Sequence, residues 1–372
     1  MKHVLKSAFM LAVSAMALAS CSMMEDDLPP CPQGLDIRFK YDYNLERADM
    51  FHDHVGGVMV YLYDSEGKFL KKVEEGNTST SSPLRATDYA LHIDVEPGTY
   101  SYQVVAWQKP MADCLATAGA KFRLAEPQPG QGYEPLELTL DRTDQADADG
   151  RHLVENQGMP LDTLWRNLGE PRTVEVVKDI VTTDTVNLIR DTKHINVTLR
   201  DIEKPDDIDV ADFDFKIYDK NGKILWNNDV DESSALTYTP YATWNTEDLV
   251  PPAETRHLAA ANGDDQPEAP GRIAHADFMT SRLLWHDNGA KDAVLSVTNK
   301  TTGHEVIRVN LADLISRLRT SADRIYSRQE FLDRGYDYRL SFFLQGDRWK
   351  YVNVEISTLS WAKRVQLEEL GN

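Results

Sequence analysis

The sequence predicts an all-β fold built from two tandem β-sandwich domains, and three observations carry this prediction. Apolar and polar residues alternate through many short segments, residues that favour turns separate these segments, and one segment of the first half recurs in the second. Strands that alternate between apolar and polar residues are buried on one face, which is the condition for packing two sheets against each other.

The alternation has a period of two residues. The segment DIRFKYDY (36–43) places Ile37, Phe39, Tyr41 and Tyr43 on one face and charged residues on the other. The segments LHIDV, YSYQVVAW, LELTL, HINVTL and YRLSFFL follow the same pattern. Turn residues occur between such segments, at Glu66-Gly67, Pro97-Gly98, Asn221-Gly222 and Gly346-Asp347. Strands of this length, bounded by turns, are typical of sandwiches.

The internal repeat relates residues 58–70 to residues 213–225. VMVYLYDSEGKFL aligns without gaps to FDFKIYDKNGKIL, and both contain Tyr-Asp-x-x-Gly-Lys-x-Leu. Each copy predicts a strand, a tight turn with a glycine at positive φ (Gly67 and Gly222), and a returning strand. A generic hairpin would look similar, but an alternating strand also precedes each copy, so we interpret the repeat as a duplicated sandwich.

Two short helices are predicted in the second half. Residues 310–322 place Leu311, Leu314, Ile315 and Leu318 on one stripe, with Asn310 as the N-cap. Residues 327–335 begin with a capping box formed by Ser327 and Glu330 and end at Gly335. Residues 141–152 and 250–271 are predicted to be loops.

The N-terminus has the layout of a bacterial lipoprotein signal. Basic residues precede an apolar run, from Ala8 to Ala19, that is too short to span a bilayer. The run ends in Leu18-Ala19-Ser20-Cys21, which resembles a lipobox, so cleavage between Ser20 and Cys21 and acylation of Cys21 are expected. An ordinary secretory signal is the alternative. Ser22, Glu25, Asp26 and Asp27 resemble an acidic signal for export to the outer face of the outer membrane; a solvated linker is the other interpretation.

Charge and cysteine content narrow the class of protein further. The chain has 372 residues and a formal net charge of −20, which disfavours nucleic acid as a partner. Besides Cys21 the chain contains only Cys31 and Cys114. In an oxidising envelope these two are expected to form a disulfide, although two free buried thiols are the alternative.

Catalytic and cofactor-binding motifs were not found in the sequence. It contains no Gly-x-Ser-x-Gly, His-Glu-x-x-His, glycine-rich phosphate loop or Cys-x-x-Cys. We interpret HDH (52–54) as a solvated loop and DQADADG (144–150) as a polar loop, because neither supplies a full ligand set. The aromatic residues Trp226, Tyr238, Tyr241 and Trp244 are expected to pack internally rather than to bind glycans. No enzyme, cofactor or metal site is predicted.

The ordered motifs resemble the FimB-type fimbrial anchor lipoproteins of the Bacteroidetes. The resemblance rests on the lipobox, LPPCPQGLDIRFKYDYN, VYLYDSEGKFL and EPGTYSYQVVAW, then VNLIRDTKHINVTL, VNLADLI and LSWAKRVQ. It implies two transthyretin-like Greek-key β-sandwich domains with a few short helices. The domains are expected at 35–186 and 187–372, after a signal peptide (1–20) and a lipidated linker (21–34).

The resemblance also implies a function. A protein of this family anchors a fimbrium at its base on the outer membrane and limits its length, and the resemblance places the lipid on Cys21 and a disulfide between Cys31 and Cys114. Related shaft subunits lose their N-terminal segment to an arginine-specific protease. Here no arginine lies between Cys21 and Asp36, and Arg38 lies in a predicted strand, which favours an anchor that keeps its lipid and docks fimbrillin shaft subunits by β-strand addition. The alternatives are a surface glycan-binding lipoprotein and a fimbrial tip adhesin.

Overall fold

The structure is a computed structural model that describes residues 33–247, 271–319, 323–346, 348–357 and 362–368. Its strands are β1 Gly34–Lys40, β2 Gly57–Tyr63, β3 Phe69–Gly76, β4 Leu91–Ile93, β5 Gly98–Trp107, β6 Phe122–Ala125, β7 Glu137–Leu140, β8 His152–Val154, β9 Leu164–Asn167, β10 Arg172–Val176, β11 Val181–Arg190, β12 Thr192–Asp201, β13 Phe213–Asp219, β14 Lys223–Ile224, β15 Leu236–Tyr238, β16 Ala242–Glu247, β17 Arg272–Ser281, β18 Val294–Asn299, β19 Glu305–Asn310, β20 Asp337–Gln345, β21 Arg348–Ser357 and β22 Ala362–Glu368. Its α-helices are α1 Phe51–His54, α2 Met111–Ala116, α3 Leu311–Ser316 and α4 Arg328–Arg334. The predicted all-β class with a few short helices is confirmed.

The first half is built around one eight-stranded sheet with the order β3-β2-β5-β9-β11-β1-β4, to which β10 adds beside β5. Strand β11 pairs in parallel with β1 along residues 181–187 and antiparallel with β9 along residues 188–190. Side chains of β1, β4 and β11 therefore pack with those of β2 and β5 in one core, in which Leu35 and Ile37 are fully buried. The alternation predicted for DIRFKYDY places Ile37 and Phe39 inside, although the strand ends at Lys40, before Tyr41 and Tyr43.

The second half consists of two sheets around a second core. One has the order β16-β17-β12-β20-β21-β22, and the other has the order β19-β18-β13-β15-β8. Alternate residues of β12, β13, β18 and β20 meet in the core between them, including Ile195, Phe215, Leu295 and Leu340. The segments HINVTL and YRLSFFL thus form central strands, as their alternation predicts.

Two sheets contain strands from both halves of the chain. Strand β8 joins the second half by pairing in parallel with β15, and β7 pairs with β14. The second core continues from Tyr61 and Val105 of the first half, through Leu138 of β7, to the strands of the second half. The division at residue 186 stays a prediction, and the structure adds that the two halves share sheets and a core across it.

The repeat has different outcomes in its two copies. In the first copy β2 and β3 form the predicted antiparallel hairpin, and Gly67 has a φ of +73°. In the second copy the chain leaves the sheet after β13, because Lys223 and Ile224 pair with β7 instead. Gly222 does not adopt a positive φ; a Cβ there would lie 2.7 Å from Leu236 Cδ1, so a larger residue would force the Leu236 side chain to shift. The prediction of a second hairpin was wrong.

A deeper similarity between the halves lies in their first strands. Strand β1 lies between β11, to which it is parallel, and β4, to which it is antiparallel. Strand β12 lies in the same way between β20, to which it is parallel, and β17, to which it is antiparallel. The segments that precede the two repeat copies therefore occupy corresponding places.

Both predicted helices are present, although the first is shorter than expected. The side chain of Asn310 accepts a hydrogen bond from Asp313 N, which confirms the N-cap, and α3 ends at Ser316. The Ser327 hydroxyl accepts from Glu330 N, as the capping box predicts. Glu330 itself bonds to Arg334, so the reciprocal bond of the box is replaced by an ion pair. The loop predicted at 250–271 lies, except for Gly271, outside the described residues.

Candidate functional site

Most of the predicted site residues precede the described part of the chain. Ser20, Cys21, Ser22, Glu25, Asp26, Asp27 and Cys31 lie outside it. Cys114 lies inside it, on α2, and is buried. Burial raises the pKa of its thiol to about 12, so the protonated form dominates at neutral pH. The disulfide with Cys31 stays a prediction.

The strand that follows the expected lipid tether is held firmly in the first half. Strand β1 forms seven residue pairs with β11 and three with β4. Leu35 and Ile37 are fully buried, and Phe39 stacks on Phe51 of α1 with ring centroids 5.3 Å apart. Arg38 lies inside this strand, as predicted, paired with Thr185 of β11. The chain therefore enters the fold through a strand that is paired on both sides.

The segment directly after β1 contacts the second half through alternating aromatic and guanidinium groups. The guanidinium of Arg334 on α4 lies 4.0 Å from the ring centroid of Tyr43 and 4.5 Å from that of Tyr326. The guanidinium of Arg47 also lies over the Tyr326 ring, 5.4 Å from its centroid. We call Tyr43, Arg334, Tyr326 and Arg47 the cation–π ladder. It joins the segment after β1 to the second half, and no pattern in the sequence predicts it.

Buried charged groups also hold the end of α4 in place. Lys193 of β12 donates to the carbonyls of Asp333, at 2.9 Å, and Gly335, at 2.7 Å, at the end of α4. Arg282 holds the Asp333 carboxylate with two bonds of 2.7 and 2.8 Å. Burial lowers the pKa of Lys193 and raises that of the neighbouring Asp191. Such a cluster fixes geometry, because each charged group is costly to bury without its partners.

Sheet edges are the surfaces on which a partner strand could add. Charged side chains occupy the edge strand β3 at Lys71, Lys72, Glu74 and Glu75, and β19 at Glu305 and Arg308. Strand β4 is only three residues long. In contrast, β16 has six residues with the sequence ATWNTE and a single charge at its end, and in the described ranges it pairs only with β17. Charged and short edges resist strand addition, so β16 is the least protected of these four edges within the described ranges.

The weak metal candidates have structural roles. The prediction that HDH (52–54) is a loop was wrong, because these residues form most of α1. His52 Nδ1 lies 2.9 Å from Leu84 O. In the 144–150 loop Asp147 accepts hydrogen bonds from Asp149 N and Arg151 N and so closes its own turn. In the described ranges no three His, Cys, Asp or Glu side chains are grouped so that they could hold a metal ion. None of the helices there combines the length and apolar character needed to cross a bilayer.

The four aromatic residues considered for glycan contact do not form one surface. Tyr238 is buried, and Trp226 packs against Tyr133 with ring centroids 5.5 Å apart. Tyr241 is half-buried beside His194. Trp244 on β16 is 38% exposed and stacks flat on His275, with ring centroids 4.8 Å apart. Trp244 is therefore the most exposed of these four rings.

Together, the packed sheets and the firmly held first strand define an all-β sandwich protein of structural type, without a grouped metal site in the described ranges. The model of the family of fimbrillin-A associated anchor proteins Mfa1 and Mfa2 matches residues 28–366. The chain belongs to this family, which gives it a fimbrium-associated role and confirms the resemblance found in the sequence. The family is one of fimbrial structural proteins rather than of enzymes.

Solved structures share this fold. A candidate adhesin from Bacteroides thetaiotaomicron is 25% identical, with a TM-score of 0.70 over 91% of this chain and 100% of that one. A candidate polysaccharide-binding protein from the same species is 27% identical, with a TM-score of 0.65 over 90% and 99%. The fimbrial anchor protein Mfa2 from Porphyromonas gingivalis is 16% identical, with a TM-score of 0.55 over 90% and 99%, and supports the fold alone. No curated protein matches the chain.

Proposed function

We propose that this protein is an outer-membrane lipoprotein that anchors a fimbrium to the cell surface at its base and limits its length. The observation that supports the proposal most directly is the position of β1. The acylated Cys21 would precede this strand by thirteen residues, and β1 is buried and paired on both sides. An anchor needs this arrangement, because its tether must not pull out of the fold under load.

The direction of the load supports the same proposal. Tension on the lipid would pull β1 along its own axis, and the strand is parallel to β11 through seven residue pairs. A pull along the strand axis strains many of the main-chain hydrogen bonds between β1 and β11 together rather than one after another. The cation–π ladder then connects the end of β1 to α4, so the second half would share the load. No reacting group, cofactor or metal is required for this role.

The proposal is tested by replacing the lipidated residue. In cells that express Cys21→Ala, fimbriae are expected in the medium and to be longer than in the wild type, because their base is no longer held. Cys31→Ser is the matched control, since it removes a cysteine but leaves the lipobox intact, and its fimbriae should stay attached. Fimbriae that remain on cells producing normal amounts of Cys21→Ala would contradict the anchor.

We further propose that β16 accepts a strand from the first shaft subunit. Main-chain hydrogen bonds would extend the sheet beyond β16, and the side chains of the incoming strand would alternate between its two faces. The edge favours this because Thr243 and Thr246 suit a strand, and the only charge lies at Glu247.

Site-specific cross-linking tests this choice of edge. A photoreactive amino acid at Thr246 is expected to cross-link to shaft subunits, whereas the same amino acid at Lys71 on the charged edge β3 should not. Cross-linking at position 71 alone would show that a different edge is used.

Glycan binding is the second candidate function, and the exposed Trp244 favours it. A flat, accessible indole can stack on a sugar ring, and the 27% identical structure carries a polysaccharide-binding description. Titration with outer-membrane and host oligosaccharides would test it. Binding that Trp244→Ala abolishes, without co-purifying shaft subunits from wild-type cells, would favour this function over the anchor.

A further inference from the structure

The turn between β10 and β11 is an exposed apolar tip. Ile180 is 53% exposed and Val177 is 47% exposed, and among the large hydrophobic side chains described up to residue 356 only Ile325, at 71%, is more exposed. The turn is tight: Asp179 has a φ of +60°, and Val177 N donates to the Thr182 hydroxyl at 3.0 Å. The two aliphatic side chains therefore flank a tight turn in water, and burying their apolar area against another surface would be favourable.

The tip lies at the end of the sheet where the chain enters the fold. In the parallel ladder of β1 and β11, Gly34 pairs with Val181, the residue directly after the tip. Cys21 and Gly34 are thirteen positions apart in the chain, a contour length of at most about 45 Å. A lipid on Cys21 would therefore hold this end of the molecule within about 45 Å of the membrane.

The charges of the tip are compatible with a lipid surface. Its two charged residues, Lys178 and Asp179, have opposite signs and lie 4.0 Å apart, so the turn carries no net charge. A short turn with no net charge and an aliphatic residue on each side is suited to the interfacial region of a bilayer, where apolar side chains leave water without a spanning segment.

We propose that residues 177–180 form a membrane-facing tip that inserts Val177 and Ile180 into the interface of the leaflet holding the Cys21 acyl chains. This inference rests on the lipidation proposed above. Two contacts, the acyl chains and the tip, would fix the orientation of the anchor instead of letting it swing on its linker, so the fimbrium would leave the membrane in a defined direction.

Fluorescence quenching in vesicles tests the tip. Full-length acylated protein is reconstituted in phosphatidylethanolamine–phosphatidylglycerol vesicles that contain nitroxide-labelled lipid, with a coumarin amino acid at position 180. The matched control carries it at Ile325, which is also exposed but adjoins Tyr326 of the ladder, at the other end of β1. Quenching is expected at position 180 and not at 325. A label at 177 should lose its quenching when Ile180→Asp is added, while the protein still floats with the vesicles.

The outcomes separate the tip from the anchor. If the protein floats with the vesicles but positions 180 and 325 are quenched equally, or neither is, the tip is overturned and the anchor stands. If position 180 becomes shielded only when shaft subunits are added, the turn is a protein contact and the proposal is also overturned. If the protein carries no acyl chain and does not float, both proposals fail.

Discussion

Single arginine side chains connect the two halves of this molecule at points where sequence patterns give no signal. Arg334 has 15% of its side chain exposed and lies between two tyrosine rings while it also pairs with Glu330 at 3.0 Å. A partly desolvated guanidinium between two ring faces is attracted by both, and a lysine cannot reproduce its flat stacking. The ladder is therefore the residue-level basis of the coupling between β1 and α4.

Arg334→Ala is expected to lower the free energy of unfolding by about 1–2 kcal/mol, because both cation–π contacts are lost. Urea denaturation measures the change. Arg317→Ala is the matched control: Arg317 is 55% exposed and pairs only within its own helical turn, with Asp313. Its loss should cost less than about 0.5 kcal/mol. Equal effects of the two substitutions would show that the ladder adds nothing.

His194 provides a second prediction at the scale of the residue. Burial alone would lower its pKa, but the carboxylate of Asp277, 3.6 Å from Nε2, and that of Asp337, hydrogen-bonded to Nδ1 at 2.7 Å, outweigh burial and raise the pKa to about 9. The folded state thus holds one more proton than the unfolded state between about pH 6.5 and 9. Its stabilising contribution is complete below pH 6.5 and is lost as the pH rises through 9.

His194→Gln should therefore flatten the pH dependence of stability. Relative to the wild type, the variant is expected to be less stable by roughly 1–2 kcal/mol at pH 6 and to approach it at pH 9.5, where the wild-type histidine is neutral. Urea titrations at pH 6, 7.5 and 9.5 measure this difference. A constant difference between the two proteins at all three pH values would exclude the proposed proton linkage.

At the scale of the element, the sequence predicted the strands and turns whose formation depends on neighbouring residues. The alternation of DIRFKYDY and HINVTL predicted β1 and β12, and Gly67 predicted the hairpin turn, because side-chain periodicity and φ are properties of neighbouring residues. Gly222 shows where this reasoning ends. Its segment resembles that of Gly67, but pairing with β7, more than eighty residues earlier in the chain, took it out of the hairpin.

Asn310, the predicted N-cap of α3, also makes a second hydrogen bond that the sequence did not predict. Asn310 Oδ1 accepts from Asp313 N at 2.8 Å, and its Nδ2 donates to Asp292 Oδ2 at 2.8 Å. Asn310→Ala should cost about 1 kcal/mol through the cap alone. Asn310→Asp keeps a good cap but places a carboxylate against Asp292, so we expect it to be at least as destabilising as the alanine variant. Thermal unfolding ranks the two; an aspartate variant as stable as the wild type would show that the bond to Asp292 is unimportant.

At the scale of the whole molecule, the candidate site follows the same division between local and distant interactions. The expected lipid site, the export residues and the likeness to fimbrial anchors could be inferred from the sequence, because they are encoded in contiguous residues. The cation–π ladder, the buried Lys193 cluster and the position of β16 at a sheet edge of the described residues could not, because each depends on the arrangement of strands that are distant in the chain.

The shared sheets predict that the two halves unfold together. Strands β7 and β8 of the first half pair with β14 and β15 of the second, and one core spans both. Separation would expose Tyr61, Leu138 and Ile224, which are fully buried. Calorimetry of the mature chain should therefore give one transition whose van't Hoff and calorimetric enthalpies agree.

The same interface predicts how each half behaves alone. Residues 33–190 expressed without the second half should aggregate or bind a hydrophobic dye, since β7 and β8 would lose partner strands and the core would be open on one side. Leu138→Ser in the intact chain is the complementary variant, and it should lower the temperature of the single transition without splitting it. Two resolved transitions, or a soluble and cooperatively folded first half, would show that the halves are independent domains and that load on β1 stops within the first of them.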